Sequence, residues 1–104
     1  MQVSCSLEQG DQPVKFSWLK DGILLQPNSN DMYNTKHLHL VGQEIRQIDD
    51  YSSDLIIQSL TSVHAGNYTC KAENAAHADI HTAMLTVSGN VQNIVAILIM
   101  LLAI

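Results

Sequence analysis

His64-Ala65-Gly66-Asn67-Tyr68-Thr69-Cys70 is the stretch whose reading decides the fold. Gly66 permits a tight corner, and Tyr68 and Cys70 follow it two positions apart. On an extended strand, residues two apart point to the same face, so both side chains enter one core. The other cysteine is Cys5, and the single tryptophan, Trp18, lies between the two. A Cys, then a Trp, then Tyr-x-Cys at a glycine corner points to two β-layers packed face to face.

Working outward, 104 residues make one domain, large enough to hold a core without help. With 46% apolar and 14% charged residues the composition is globular, and the apolar excess gathers at the C-terminal end. A net charge of −5 argues against a general nucleic-acid or anionic-membrane binder, since both need a surplus of Lys and Arg. The five histidines form no basic run. Two cysteines 65 positions apart suit neither a disulfide-dense miniprotein nor a compact zinc knuckle. Bridged, they would close a long loop, which chain entropy credits with ~4 kcal/mol, and would indicate an oxidising compartment. Unbridged, they would be two buried thiols of an intracellular domain.

Strand patterning extends over most of the chain. Gln2 to Leu7 alternates, with Val3, Cys5 and Leu7 on one face. Glu8 to Pro13 is a loop, and Val14 to Lys20 turns Val14, Phe16 and Trp18 inward. Asp21-Gly22 is a turn into the short strand Ile23-Leu24-Leu25, which Pro27 stops. Gln26 to Gln43 is poorly patterned, and Glu44 to Ile48 reads as an edge strand. Ser53 to Leu60 sends Leu55 and Ile57 inward, and Thr61 to Ala65 is the corner. Gly66 to Glu73 buries Tyr68, Cys70 and Ala72, and Asp79 to Val87 buries Ala83, Leu85 and Val87. About seven strands with turns every 8–12 residues predict an all-β sandwich.

On these residues the chain resembles an I-set immunoglobulin domain. The resemblance is carried by Val3-Ser4-Cys5, Phe16-x-Trp18-Leu19-Lys20-Asp21-Gly22, Leu55-x-Ile57, Gly66-Asn67-Tyr68-Thr69-Cys70 and Ala83-x-Leu85-x-Val87. In detail it is similar to arthropod members of the Down syndrome cell adhesion molecule (Dscam) family. Gly10-Asp11-Gln12-Pro13, Asp49-Asp50-Tyr51-Ser52-Ser53, His64-Ala65-Gly66 and Asn74-Ala75-Ala76 carry that finer likeness. The resemblance implies a Cys5–Cys70 disulfide joining two sheets over Trp18, with Tyr68 and Leu55 as core markers. It also implies homophilic adhesion through several such domains in tandem.

Three departures from the family pattern stand out. The strand that normally precedes the Val3 strand is missing, which would leave sheet edges open. His64 stands where an acidic residue usually pairs with an arginine, so Arg46 is expected to lack that partner. After Val87 the chain becomes hydrophobic instead of entering another domain. The expected organisation is an I-set domain over residues 1–88, lacking its first strand, followed by a hydrophobic tail over 89–104.

Candidate chemistry is sparse. No Gly-x-Ser-x-Gly elbow or paired nucleophile and base is present, and Asp49 and Asp50 fall on opposite faces of a strand, so no enzyme is expected. His37 and His39 share strand parity, with His77 and His81 beyond, but no third metal ligand has firm spacing; neither metal nor cofactor is expected. Asn67-Tyr68-Thr69 is a glycosylation sequon, with Asn67 on the face opposite to Tyr68. Leu19, Ile56 and Met84 point outward; Leu19 and Met84 on one sheet would form part of a recognition face.

Ile94 to Ile104 is eleven apolar residues, which as a helix would span ~16 Å, about half a bilayer core. Three readings compete: part of a transmembrane span, a lipid-anchor signal after Ser88-Gly89-Asn90, or an extension from an incomplete gene model. Met1 to Cys5 carries no export signal, so the expected product is a fragment of a secreted or cell-surface protein.

The function expected is therefore a non-catalytic recognition module of a cell-adhesion or neuronal-guidance receptor. Its partner would be a protein, including the same protein on another cell, with membrane attachment through the tail and no nucleic acid. The alternatives are an intracellular structural I-set domain of a muscle or cytoskeletal protein, and an innate immune receptor domain.

Overall fold

The computed structural model describes residues 1–8, 10–25, 40, 42–87 and 97–102, the last group by its backbone alone. Alternation decides the first strand, β1 (Gln2–Leu7): Val3 and Cys5 are fully buried and Leu7 nearly so, while Gln2, Ser4 and Ser6 lie on the other face. β2 (Lys15–Lys20) and β3 (Ile23–Leu24) form a hairpin across Asp21 and Gly22. Both turn residues have positive φ, 51° and 81°, the backbone that a two-residue hairpin loop demands.

β4 (Gln43–Asp49) and β5 (Ser52–Ile57) form the next hairpin, with a register irregularity between Gln47 and Asp49. Its turn is fixed by Asp49 Oδ1, which accepts the Tyr51 N–H at 2.8 Å and the Ser52 hydroxyl at 2.9 Å. A single 3-10 turn, Ser62–His64, leads into β6 (Gly66–Glu73), and Asn74 to His77 turns the chain into β7 (Ala78–Leu85). There Asn74 Oδ1 accepts the N–H groups of Ala76 and His77.

The strands form two sheets, in the orders β4-β5-β1-β8 and β3-β2-β6-β7. Their facing sides enclose Val3, Cys5, Trp18, Leu25, Leu55, Ile57, Tyr68, Cys70 and Ala72. Trp18 reaches across: its indole N–H donates to Ser53 Oγ on the opposite sheet at 3.0 Å. Among the described residues no buried side-chain nitrogen or oxygen lacks a partner.

Several boundaries shift from those read in the sequence. β2 starts at Lys15, one residue late, with Val14 still packed on the core. β5 ends at Ile57, and Leu60 packs against the core from beyond the strand. β7 ends at Leu85, and Val87 packs past its end. Glu44 to Ile48 does belong to an edge strand, lengthened by a residue at each end. Tyr33, Leu38 and Val41 of the unpatterned stretch lie outside the described residues, whereas Leu40 is buried and its N–H donates to Gln43 Oε1.

The apolar tail differs most. Over Ile97–Leu102 the backbone is a strand, β8, parallel to β1 in the register Gln2↔Ile97 to Leu7↔Leu102. The outer edge of β1, expected to be open, therefore has a partner. A continuous apolar run has no period with which to separate helix from strand. The N–H and C=O groups along an open edge supply the missing direction. No described helix is long and apolar enough to cross a membrane.

Candidate recognition face and glycine corner

The His64–Cys70 stretch folds as a brace between the sheets. Cys70, on β6, is bonded to Cys5 on β1, with Cα atoms 6.4 Å apart. Trp18 is the cross-strand partner of Cys70 and Leu55 is that of Val3, and Trp18, Leu55 and both cysteines are buried in one core. Tyr68 is 1% exposed, and its hydroxyl donates to the His64 carbonyl, tying the strand back to the turn before it. Burial, and secondarily the negative charge of Asp21, push the Tyr68 phenol up to about 12.

His64 is itself buried, and its Nδ1 accepts the Thr61 N–H at 2.9 Å, closing the 3-10 turn with its own side chain. Arg46 finds an acidic partner elsewhere than at position 64: its guanidinium donates to Glu44 Oε1 at 2.7 Å. Glu44 lies two residues back on the same strand, hence on the same face.

Gly66 has φ 150°, and Asp21 of the β2–β3 turn closes over it. Asp21 Oδ1 accepts the Asn67 N–H at 2.9 Å, Oδ2 takes Lys20 Nζ at 2.9 Å, and the Asp21 N–H donates to the Asn67 carbonyl. The Asn67 N–H first, and then Lys20, hold the Asp21 carboxyl below the usual carboxylate range. Locally, Asp21-Gly22 has the pattern of a turn and nothing more. Its longer role depends on a residue 46 positions away, which no local pattern signals.

The outer face of the β3-β2-β6-β7 sheet follows from the register. Leu24, Leu19, Thr69 and Thr82 form one row, Ser17, Lys71 and Ile80 the next, and Asn67 lies opposite Met84. Leu19 and Met84 thus share a sheet face, whereas Ile56 lies on the other sheet. Met84 is 69% exposed and Ile80 60%, and Thr69 and Thr82 share a hydroxyl–hydroxyl bond of 2.8 Å. Asn67 is exposed on this face.

The remaining candidates do not converge. Asp49 is held in its own turn, and Asp50 Oδ2 accepts Gln12 Nε2 at 3.2 Å. The latter pair lies on an open groove of about 320 Å³ that Pro13, Val14 and Gln47 complete. His37 and His39 lie outside the described residues, and His77 and His81 are exposed on a turn and on β7. Among the described residues no cluster of three His, Cys, Asp or Glu could hold a metal.

A sandwich bridged across its tryptophan and locked by a tyrosine at the corner before β6 is an immunoglobulin-like recognition domain, of the kind that binds by its surface rather than by turnover. The comparisons give the lineage. The family model "Immunoglobulin domain" matches residues 1–74, and the chain belongs to that family. It is 40% identical over 83 residues to the cell adhesion molecule Dscam2 of Drosophila melanogaster, covering 80% of this chain and 3% of that protein. The Ig7 domain of Dscam1, isoform 5, superposes with a TM-score of 0.64 at 23% identity, covering 78% of this chain and 71% of that one. A titin fragment, I67-I69 of the I-band, superposes at 0.56 with 20% identity, covering 91% and 24%. This chain is thus a non-catalytic immunoglobulin domain related to Dscam-family cell adhesion molecules. It spans only 3–4% of the length of the curated relatives it matches.

Proposed function

We infer that the chain acts as a recognition module of a cell-surface adhesion receptor, binding protein through its sheet faces and end loops, with a second copy on another cell as partner. The observation that carries this reading is the 40% identity to a cell adhesion molecule over 80% of the chain. The Cys5–Cys70 bridge supports an extracellular setting, because such bonds persist where thiols are oxidised. The net charge of −5 and the absence of a basic run favour protein over nucleic acid as partner. The titin likeness, at 20% identity, speaks to fold alone and does not favour an intracellular structural role.

One isolated domain of this size offers a small interface, so the test uses many copies. Beads coated with the full chain should cluster, and soluble chain should disperse them. Dispersed beads at every coating density would overturn the homophilic reading. Free Cys5 and Cys70 in protein taken from its native cells would overturn the extracellular one.

A further inference from the structure

The geometry points to Asn67 as an N-linked glycan site whose sugars lie over the Leu19–Met84 strip and withdraw that sheet face from protein contact. The inference rests on the reading of the chain as an exported adhesion domain.

Asn67 begins the Asn67-Tyr68-Thr69 sequon and stands on the open face of β6, one residue past the Gly66 corner. Its backbone is held from both directions by Asp21, through the Asn67 N–H at 2.9 Å and the Asn67 carbonyl at 2.8 Å. Among the described residues its carboxamide takes no hydrogen bond, so it has no structural duty that a glycan would displace. The backbone is fixed while the side chain is exposed, so a substituent is rooted at one point of the open face, beside its cross-strand neighbour.

What lies beside it gives the substituent something to cover. The cross-strand neighbour of Asn67 is Met84, the most exposed large apolar side chain described, on β7 at the end of its sheet. Leu19 lies one row along, beyond Thr69. Met84 and Ile80, both exposed on that face, offer apolar surface to non-specific contact unless something screens it. Sugar rings have apolar C–H faces and a hydroxylated rim, so a glycan rooted at Asn67 covers Met84 and remains soluble. This narrows the adhesion reading: of the two sheet faces only that of β4-β5-β1-β8 stays open to protein, together with the end loops.

The transfer is the ordinary one. The Asn67 amide nitrogen forms a bond to the anomeric carbon of a lipid-diphosphate-linked oligosaccharide. The carbon–oxygen bond to the diphosphate breaks, the lipid diphosphate leaves, and the amide nitrogen loses one proton to base.

The experiment expresses the full chain behind a cleavable secretion leader in cultured eukaryotic cells and analyses leader-processed protein from whole-cell extract. Peptide-N-glycosidase leaves aspartate at a formerly glycosylated asparagine, and that conversion is expected at residue 67. It should persist in Thr69→Ser and disappear in Thr69→Val. The sugar joins the unfolded chain, so neither variant needs to fold for the result to count. An unmodified Asn67 in leader-processed protein overturns the proposal, and leaves the adhesion reading to the bead test because the leader enforces export. Peroxide oxidation of Met84, followed by peptide mass, reads the covering. It should run several-fold slower before glycosidase treatment than after, and equal rates would overturn the covering.

Discussion

The carboxylate of Asp21 fills the space in which any side chain at residue 66 would begin: a Cβ on Gly66 would stand 2.7 and 2.8 Å from its two oxygens. With φ at 150°, Gly66→Ala also strains the backbone. The expected cost is about 1–3 kcal/mol, read from urea midpoints. In an Asp21→Ala background the clash is absent, and the same substitution should cost less. Equal costs in both backgrounds would show that Asp21 is not the reason for the glycine.

The acid limb of stability should bear the mark of two carboxyls. Asp21 is lowered by the Asn67 N–H and then Lys20, Asp49 by the Tyr51 N–H and then the Ser52 hydroxyl. Both titrate below the ordinary value of 3.8 when folded, so folding favours their ionised forms. Their contribution is present above that value and is lost as pH falls through the lower folded values. Urea midpoints should therefore drop below about pH 4, and Asp21→Asn should flatten that slope.

Tyr68→Phe leaves the buried His64 carbonyl without its donor and should cost about 1–2 kcal/mol. The same residue governs the alkaline limb. Its folded value, pushed up to about 12 from 10.0, means that folding favours the neutral phenol. That stabilisation is full below 10.0 and is lost as pH rises towards 12. Tyr68→Phe should lack this component of the alkaline fall.

Across the sheets, Ser53→Ala leaves the buried Trp18 indole N–H unpaired, at about 1–3 kcal/mol. In a Trp18→Phe background the serine should matter much less. Replacing both Cys5 and Cys70 with alanine should cost about 2–5 kcal/mol, because the 65-residue separation no longer restrains the unfolded chain. Denaturant unfolding of the wild type and these four variants measures both effects.

A chain ended after residue 96 loses β8 and uncovers the edge of β1. Amide hydrogen exchange should then quicken along Gln2–Leu7, while the exchange of β2 and β6 in the other sheet changes little. Unchanged protection in β1 would mean that β8 does not hold that edge.

Much of the sandwich was legible locally. Cys5, Trp18, Leu55, Tyr68 and Cys70 each sit at the inward parity of a strand whose outward residues are mostly polar, with Leu19 and Ile56 as exceptions, so alternation assigns them to the core. Asn67 could likewise be placed on the open face by parity with Tyr68. The β5 and β7 boundaries were less legible, because Leu60 and Val87 continue the inward pattern after the hydrogen-bonded ladder has ended. An apolar side chain can pack on a core without belonging to a strand.

Arg46 and the tail show the harder limit. The family pattern points Arg46 to the corner, where His64 replaces an acid, and is silent on Glu44 two residues away; only the packed corner shows that His64 is turned inward and capping its own turn. The direction of β8 depends on the free edge of β1, some ninety residues earlier in the chain. By itself the sequence determined which face of each strand is buried, since that follows from a period of two within a few residues, while the meeting of Cys5, Trp18 and Cys70 in the core was implied by the family resemblance. Only the tertiary structure decided that Asp21 excludes a side chain at Gly66, that Met84 lies opposite Asn67, and that an apolar tail runs parallel to β1. Those relationships join groups distant along the chain, and they exist only once the backbone hydrogen bonds have chosen their register.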